Sequence, residues 1–198
     1  MDQLTSHSTQ DPPEQPVIST VKREKGFVAE LFETILMAVL IFVVINTLTL
    51  RVKVINYSML PTLDQGYYLL VNRLAYRFGE PTHGEIIIFH HNGDITEDYI
   101  KRVIGLPGDR VVITDGAVSV NELALEEPYL SEQGHSGGEW VVPEGEYFVL
   151  GDNRNHSSDS RDWGFVKQEW MVGKALLVYW PFQQARILST PEFFQSAR

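Results

Sequence analysis

The stretch GEIIIFHHNGDITEDYIKRVIGLPGDRVVITDGAVSVN, residues 84–121, decides the fold. Short runs rich in Ile, Val, Phe and Tyr are separated by Gly, Pro, Asn and Asp, which is the pattern of strands joined by turns. Asn92-Gly93 follows IIIFHH, and Asp115-Gly116 divides VVI at 111–113 from AVSV at 117–120; each pair predicts a two-residue hairpin. Outward from this stretch the same rhythm continues. It predicts strands over 51–55, 67–72, 85–91, 98–104, 110–114, 117–121, 139–142, 146–150 and 173–180. Helix is expected only near 73–78 and at the carboxyl end. There is no repeat, heptad array or βαβ alternation, so the body reads as mainly β, an antiparallel sandwich or barrel. Residues 111–142 hold a hairpin, the acidic pair Glu126-Glu127 and the bend Gly134-His135-Ser136-Gly137-Gly138, and read as a small inserted hairpin subdomain.

Upstream the pattern changes. Residues 1–20 carry Pro12, Pro13 and Pro16 among polar residues with no apolar period, which predicts a disordered tail over 1–26. Lys22, Arg23 and Lys25 then precede an unbroken apolar run at 35–45, ILMAVLIFVVI. Extended to Leu31 and Leu50 it spans about 30 Å as a helix, at ~1.5 Å per residue, which matches a bilayer core. Glu33 falls in the first turn of that span and Glu30 just before it, where the helix dipole and headgroup water tolerate them. A cleavable leader would show small residues after the run, and Asn46-Thr47-Leu48-Thr49-Leu50 does not. The expectation is one uncleaved transmembrane helix over 27–50, with a buried core helix as the alternative. Three cations before the run against Arg51 and Lys53 after it weakly favour an amino terminus inside the cell.

Composition excludes several functions. The 198 residues carry 16 Lys+Arg against 26 Asp+Glu. Three of those cations and six anions precede residue 51, so the remaining 13 cations and 20 anions leave the body at −7. An acidic body offers no phosphate-binding surface, which argues against nucleic acid. With no cysteine, disulfides, thiolate catalysis and cysteine zinc sites are all excluded. Consecutive His90 and His91 point to opposite faces of a strand, and no His-Glu-x-x-His occurs, so no metal is expected.

Three stretches carry candidate chemistry. In Ser58-Met59-Leu60-Pro61-Thr62-Leu63, Pro61 forces Leu60 out of the helical region and puts Ser58 on a bend. Such a serine is ordinarily a turn residue; here it lies eight residues past the apolar helix, within about 26–29 Å of it at ~3.3–3.6 Å per residue. In Tyr99-Ile100-Lys101-Arg102-Val103-Ile104, Lys101 shares a strand face with Tyr99 and Val103, and Arg102 with Ile100 and Ile104. A lysine there either snorkels from an edge or is buried neutral as a general base; arginine cannot shed its proton. The loop GDNRNHSSDSRDWG at 151–164 breaks calcium-loop spacing with Arg154 and His156. It reads either as a hydrogen-bonded loop with an Asp159–Arg161 pair or as a shell orienting a base from Ser157.

Together these stretches resemble the bacterial type I signal peptidases, membrane-anchored Ser–Lys proteases that cleave signal peptides from exported preproteins. The resemblance also rests on GEIIIF at 84–89, YIKRVIGLPGD at 99–109 and NELALEEPYL at 121–130. It implies a partly open, barrel-like antiparallel β catalytic domain over 51–198. Ser58 would be the nucleophile, Lys101 the general base, and Ser157 the hydroxyl that bonds the lysine. Asp159 and Arg161 would be a bracing ion pair, and Arg102 the neighbour of the base. The family's topology implies a single-pass protein of the cell membrane, amino terminus cytoplasmic and catalytic domain outside, working beside the protein-export translocon. Substrates would be preproteins with small residues at −1 and −3, bound as an extended strand, with no cofactor. One departure stands out. Two residues before Ser58 many relatives carry an oxyanion-hole serine, whereas here the residue is Asn56, whose amide can donate the same bond beside the Ser58 N–H. A Ser–His–Asp hydrolase using His156 and Asp159, a self-cleaving repressor-type protease, and a non-catalytic tethered binder are the rival readings.

Overall fold

A computed structural model describes residues 26–191; the expected disordered tail lies outside them except for Gly26, as does the chain after 191. Contacts divide the chain into two compact units, 1–40 and 41–198. Helix α1 (Phe27–Leu48) is apolar on every side, buries none of its residues, and is long and apolar enough to cross a membrane. Because it begins at Phe27, Glu30 and not Glu33 lies in its first turn. It also stops two residues short of the expected boundary. Thr49 and Leu50 already belong to β1 (Thr49–Lys53), paired with Asn72 and Val71 of β2 (Tyr68–Asn72). Apolarity alone could not mark that end, because the alternating T-L-R-V-K becomes strand only once β2 supplies a partner.

The body continues with α2 (Ala75–Phe78), β3 (Ile86–His90), β4 (Asp98–Gly105), β5 (Arg110–Thr114), β6 (Ala117–Val120), β7 (Leu123–Ala124) and β8 (Gly138–Val141). It ends with β9 (Glu146–Leu150), α3 (Ser160–Trp163), β10 (Val166–Lys167), β11 (Met171–Trp180) and β12 (Arg186–Ile187). The architecture is mainly antiparallel β, as read from the sequence. The larger sheet has the order β1-β2-β11-β3-β4-β9-β10 with β12 against β11, so it stays open, with edges at β1 and β10. β3 and β4 lie at its middle. Ile86 and Ile88 pack into one cluster with Met59, Leu63 and Val71, while Ile87 and Phe89 pack on the opposite face with Val103 and Tyr147. Burial on both faces is why IIIF is continuous instead of alternating.

Of the two predicted hairpin turns, one forms and one does not. Asp115 and Gly116 make the predicted tight turn, both with positive φ (48° and 84°). Asn92-Gly93 does not: β3 and β4 pair only up to His90 and Asp98, and a seven-residue loop joins them. Within it the Asp94 carboxylate accepts from the Thr96 N–H and hydroxyl, and the His91 N–H donates to the Glu97 carbonyl. That local bonding competes with a two-residue hairpin. The region read as one inserted hairpin is a four-stranded sheet, β7-β6-β5-β8. Its Val111, Ile113, Val118 and Val120 share a buried cluster with Ile104, Phe148 and Leu150 of the larger sheet.

Gly105 sits where those two sheets meet. A Cβ there would lie 2.7 Å from Val111, 2.9 Å from Val142 and 3.2 Å from Phe148. Gly105→Ala is expected to lower unfolding stability by about 1–3 kcal/mol through overpacking, measured by denaturant titration of the purified chain.

Candidate active site

The turn bearing Ser58 is anchored by its own apolar residues. Met59 and Leu63 are fully buried, the Leu63 N–H bonds the Met59 carbonyl at 2.8 Å, and Leu60-Pro61 is cis. The Ser58 carbonyl accepts from the Asn153 N–H at 2.9 Å, and the Tyr57 carbonyl from the Asn153 side-chain amide at 3.2 Å. From the other side the Thr62 hydroxyl accepts from Arg102 Nη2 at 3.5 Å, and the Thr62 carbonyl accepts from Arg186. Held in this way, Ser58 opens onto a cavity of about 910 Å³ whose walls also include Val54, Asn56, Tyr99, Lys101 and His156.

Lys101 enters that cavity from β4, opposite Ile87 in the register, and only 3% of it is exposed. Among the described residues its amine makes no hydrogen bond or ion pair; its recorded contact is the face of Tyr99, 5.7 Å away. Burial pulls the amine down from 10.5 to about 8, with Asp159 and Asp152 opposing the fall and Arg161 assisting it. The snorkelling alternative therefore does not describe this lysine.

The loop after β9 is braced by ion pairs. Asp159 takes Arg161 Nε at 2.7 Å and Nη2 at 2.8 Å, and also accepts from the Gly151 N–H at 3.0 Å. Its oxygens are thus engaged away from His156, which lies exposed at the cavity rim. Arg102 makes a two-pronged bond to Asp152, 2.8 and 2.6 Å, with both side chains almost wholly buried. Burial opposes the Arg102 charge, and Asp152, with Tyr129 and Glu127, more than offsets this, so the guanidinium stays protonated. Ser157 is half-buried against Gly151. Among the described residues its Oγ has no hydrogen-bond partner, so the bond to lysine implied by the family resemblance is not made in this structure.

Ser58, Lys101 and Asn56 therefore share one cavity, while Arg102, Asp159, Arg161 and Ser157 lie behind it. Sequence reasoning missed Asn153 and Asp152, which tie the loop to the Ser58 turn and to β4. It also missed Glu127 and Tyr129, which reach the arginines from outside the loop. The polar density of GDNRN, unusual directly after an apolar strand, was the available signal. It missed His83 as well. This imidazole meets Asp109 at 2.6 Å beneath the G-L-P-G-D turn, where Asp109 also accepts from the Leu106 N–H and Asn121. Burial pushes the Asp109 carboxyl up, and these hydrogen bonds more than reverse it, leaving it below the usual range. Among the described residues no group of three or more histidines and carboxylates is placed to hold a metal ion.

A buried base with a lowered pKa is penalised in the folded state whenever it is protonated. The penalty is complete below pH 8, shrinks as pH rises, and is gone above about 10.5, the unfolded value. Lys101→Met, which keeps the volume and removes the charge, should therefore gain on the order of 3 kcal/mol below pH 8. Unfolding titrations at pH 7 and pH 10.5 check this, and an equal gain at both values would contradict it.

Similarity to known proteins runs through all of these features. The family model described as signal peptidase, peptidase S26, matches residues 28–180, from α1 to the end of β11. Signal peptidase I of Leptolyngbya laminosa is 38% identical over 195 residues, covering 94% of this chain and 96% of that protein. Probable signal peptidase I-2 of a Synechocystis strain is 37% identical, covering 81% and 77%. Signal peptidase I of Bacillus caldolyticus is 45% identical over 142 residues, covering 64% and 77%. Because the family model spans the Ser58 turn, strand β4 and the loop after β9, and a relative 38% identical covers 94% of the chain, the chain belongs to the signal peptidase family, peptidase S26.

Proposed function

We propose that this chain removes signal peptides by a Ser–Lys acyl-transfer mechanism, with Ser58 as nucleophile and Lys101 as general base. The observation that carries the reading is a buried lysine, with no ion pair among the described residues, sharing a cavity with Ser58. Neutral Lys101 takes the Ser58 hydroxyl proton as Oγ attacks the scissile carbonyl, then returns it to the departing amine. Water hydrolyses the acyl-enzyme with the same amine as base. The Ser58 N–H and the Asn56 amide donate to the tetrahedral oxyanion. Ser157, whose Oγ has no other partner among the described residues, is left available to orient the amine, and the Asp159–Arg161 and Arg102–Asp152 pairs hold the loop and strand in place.

Edge strand β1 and the extended residues after it line the cavity, leaving room for a preprotein segment to add as a strand. Small residues at −1 and −3 complete the specificity. Helix α1 anchors the chain in the cell membrane, amino terminus in the cytoplasm and the β body outside, beside the export translocon. A Ser–His–Asp scheme is disfavoured because Asp159 is committed to Arg161 and Gly151.

Cleavage of a preprotein in detergent tests the reading. Ser58→Ala, Lys101→Ala and Lys101→Arg are each expected to lose about 10³-fold or more in kcat/KM, while His156→Ala keeps most activity. Substantial cleavage by Lys101→Arg would exclude the scheme, since a guanidinium cannot act as the base. Because the neutral amine is the competent form, kcat/KM should rise with pH through about 8.

Two further variants probe geometry. Asn56→Ala should lower kcat by about 10²-fold with little change in KM, whereas an unchanged kcat removes Asn56 from the oxyanion site. Gly151→Ala would place a Cβ against Ser157 Oγ and 2.5 Å from the Ser58 carbonyl oxygen. It should abolish most cleavage while the chain still folds.

A further inference from the structure

Behind the cavity lies a set of buried charges whose members come from β4, from the segment after β9 and from the segment between β7 and β8. Arg102 and Asp152 pair, Asp159 and Arg161 pair, and Arg154 pairs with Glu127 through Nη1 at 2.9 Å and through Nη2. Each arginine also has a contact from residues 127–136, in the segment between β7 and β8. Arg154 holds Glu127, Arg102 lies 4.1 Å over the Tyr129 ring, and Arg161 Nη1 donates to the Ser136 hydroxyl at 2.9 Å. Arg154 in turn donates from Nε to the Gly151 carbonyl at 3.2 Å and accepts on its own carbonyl from Arg161 at 2.8 Å. Glu127 is thus connected through one residue, Arg154, to both ends of the segment that carries Ser157: to Gly151 by its guanidinium and to Arg161 by its backbone carbonyl.

The tally of charge is informative. Three guanidiniums face three carboxylates, so the set is neutral when Lys101 is neutral, and protonating Lys101 adds an unpaired positive charge. Tyr129 does not disturb this balance: burial, with Glu127 beside it, pushes its phenol well above the ordinary range. Glu127 meets Tyr129 on its own segment and Arg154 from the loop, and its charge also reaches Arg102 of β4. The charged groups that act on Lys101 are Asp159, Arg161 and Asp152 from the loop, with the Tyr99 ring on its own strand. An intact ion pair nearly cancels at a distance, whereas a buried single charge acts over many ångströms.

We propose that Glu127 and Arg154 are positioning residues for the reaction: their pair closes a charge-neutral set that fixes the proton affinity of Lys101 and the pose of the Ser157 loop. The inference rests on Lys101 being the base. Without the Glu127 charge, Arg154 is left unbalanced and protonation of Lys101 becomes harder. Without the Arg154 charge, Glu127 is left unbalanced and protonation becomes easier. The segment between β7 and β8 then supplies one of the three anions that set the working pH of a site to which it contributes no reacting atom.

The test is the pH profile of kcat/KM for the full chain in detergent, cleaving a preprotein with alanine at −1 and −3. Glu127→Gln should move the rising limb to lower pH by about half a unit or more, and Arg154→Gln should move it to higher pH by a similar amount. The double variant, neutral again, should return the limb close to wild type, and Glu127→Asp should keep it there. A limb that stays in place in both single variants, or moves the same way in both, overturns the proposal even if kcat falls. If Glu127→Gln does not fold, the direction of the Arg154→Gln shift and its reversal in the double variant decide. Activity surviving in Lys101→Ala would instead defeat the base assignment, a separate and recognisable failure.

Discussion

A primary amine kept out of water, with no counter-ion among the described residues, is the condition on which the rest of this structure turns. In water Lys101 would be protonated well beyond neutral pH; inside the sheet, burial brings it to about 8. Keeping it dry takes a strand flanked on both edges, and β4 sits inside the larger sheet with β3 on one side and β9 on the other. It also requires that nearby carboxylates be occupied elsewhere. Asp152 is held by Arg102 and Asp159 by Arg161, so neither forms an ion pair with the lysine.

This arrangement makes the arginines as important as the lysine. An unpaired aspartate behind the cavity would capture the amine and hold it charged, while an unpaired guanidinium would repel its proton. The three buried pairs avoid both outcomes. They also join pieces of chain that are distant in sequence: the Ser58 turn through Thr62 and Asn153, the loop through Asp152 and Arg154, and the second sheet through Glu127, Tyr129 and Ser136. The four-stranded sheet is therefore more than a decorated hairpin. Its apolar face shares a cluster with Phe148 and Leu150, and its polar segment grips the loop that follows them.

Much of the fold was legible because its signals are local. Nine strands were expected and each has its counterpart, since β-branched and aromatic runs between turn residues act over a few positions. The short pairs β7, β10 and β12 were missed, because two-residue strands such as Val166–Lys167 exist only through their partners. Asn92-Gly93 misled for a related reason, as Asp94 and Thr96 satisfy each other and open a longer loop. At the site, Asp159 and Arg161 could be read as a pair because they lie two residues apart. Arg102 and Asp152, fifty apart, could not: they meet because the register sets Arg102 opposite Leu150, two residues before Asp152.

The amino-acid sequence alone determined the residue types, the apolar helix at one end, the β character of the body, and the bend that presents Ser58. These follow from side-chain periodicity and from the restricted backbone of proline and glycine, which need no distant partner. Tertiary structure decided which face of β4 stays dry, which carboxylate each arginine binds, and that Glu127 reaches the loop at all. Such outcomes depend on strand register and on how two sheets close over each other. Protonation of a buried group is set by the sum of its surroundings, and those surroundings exist only once the chain has folded.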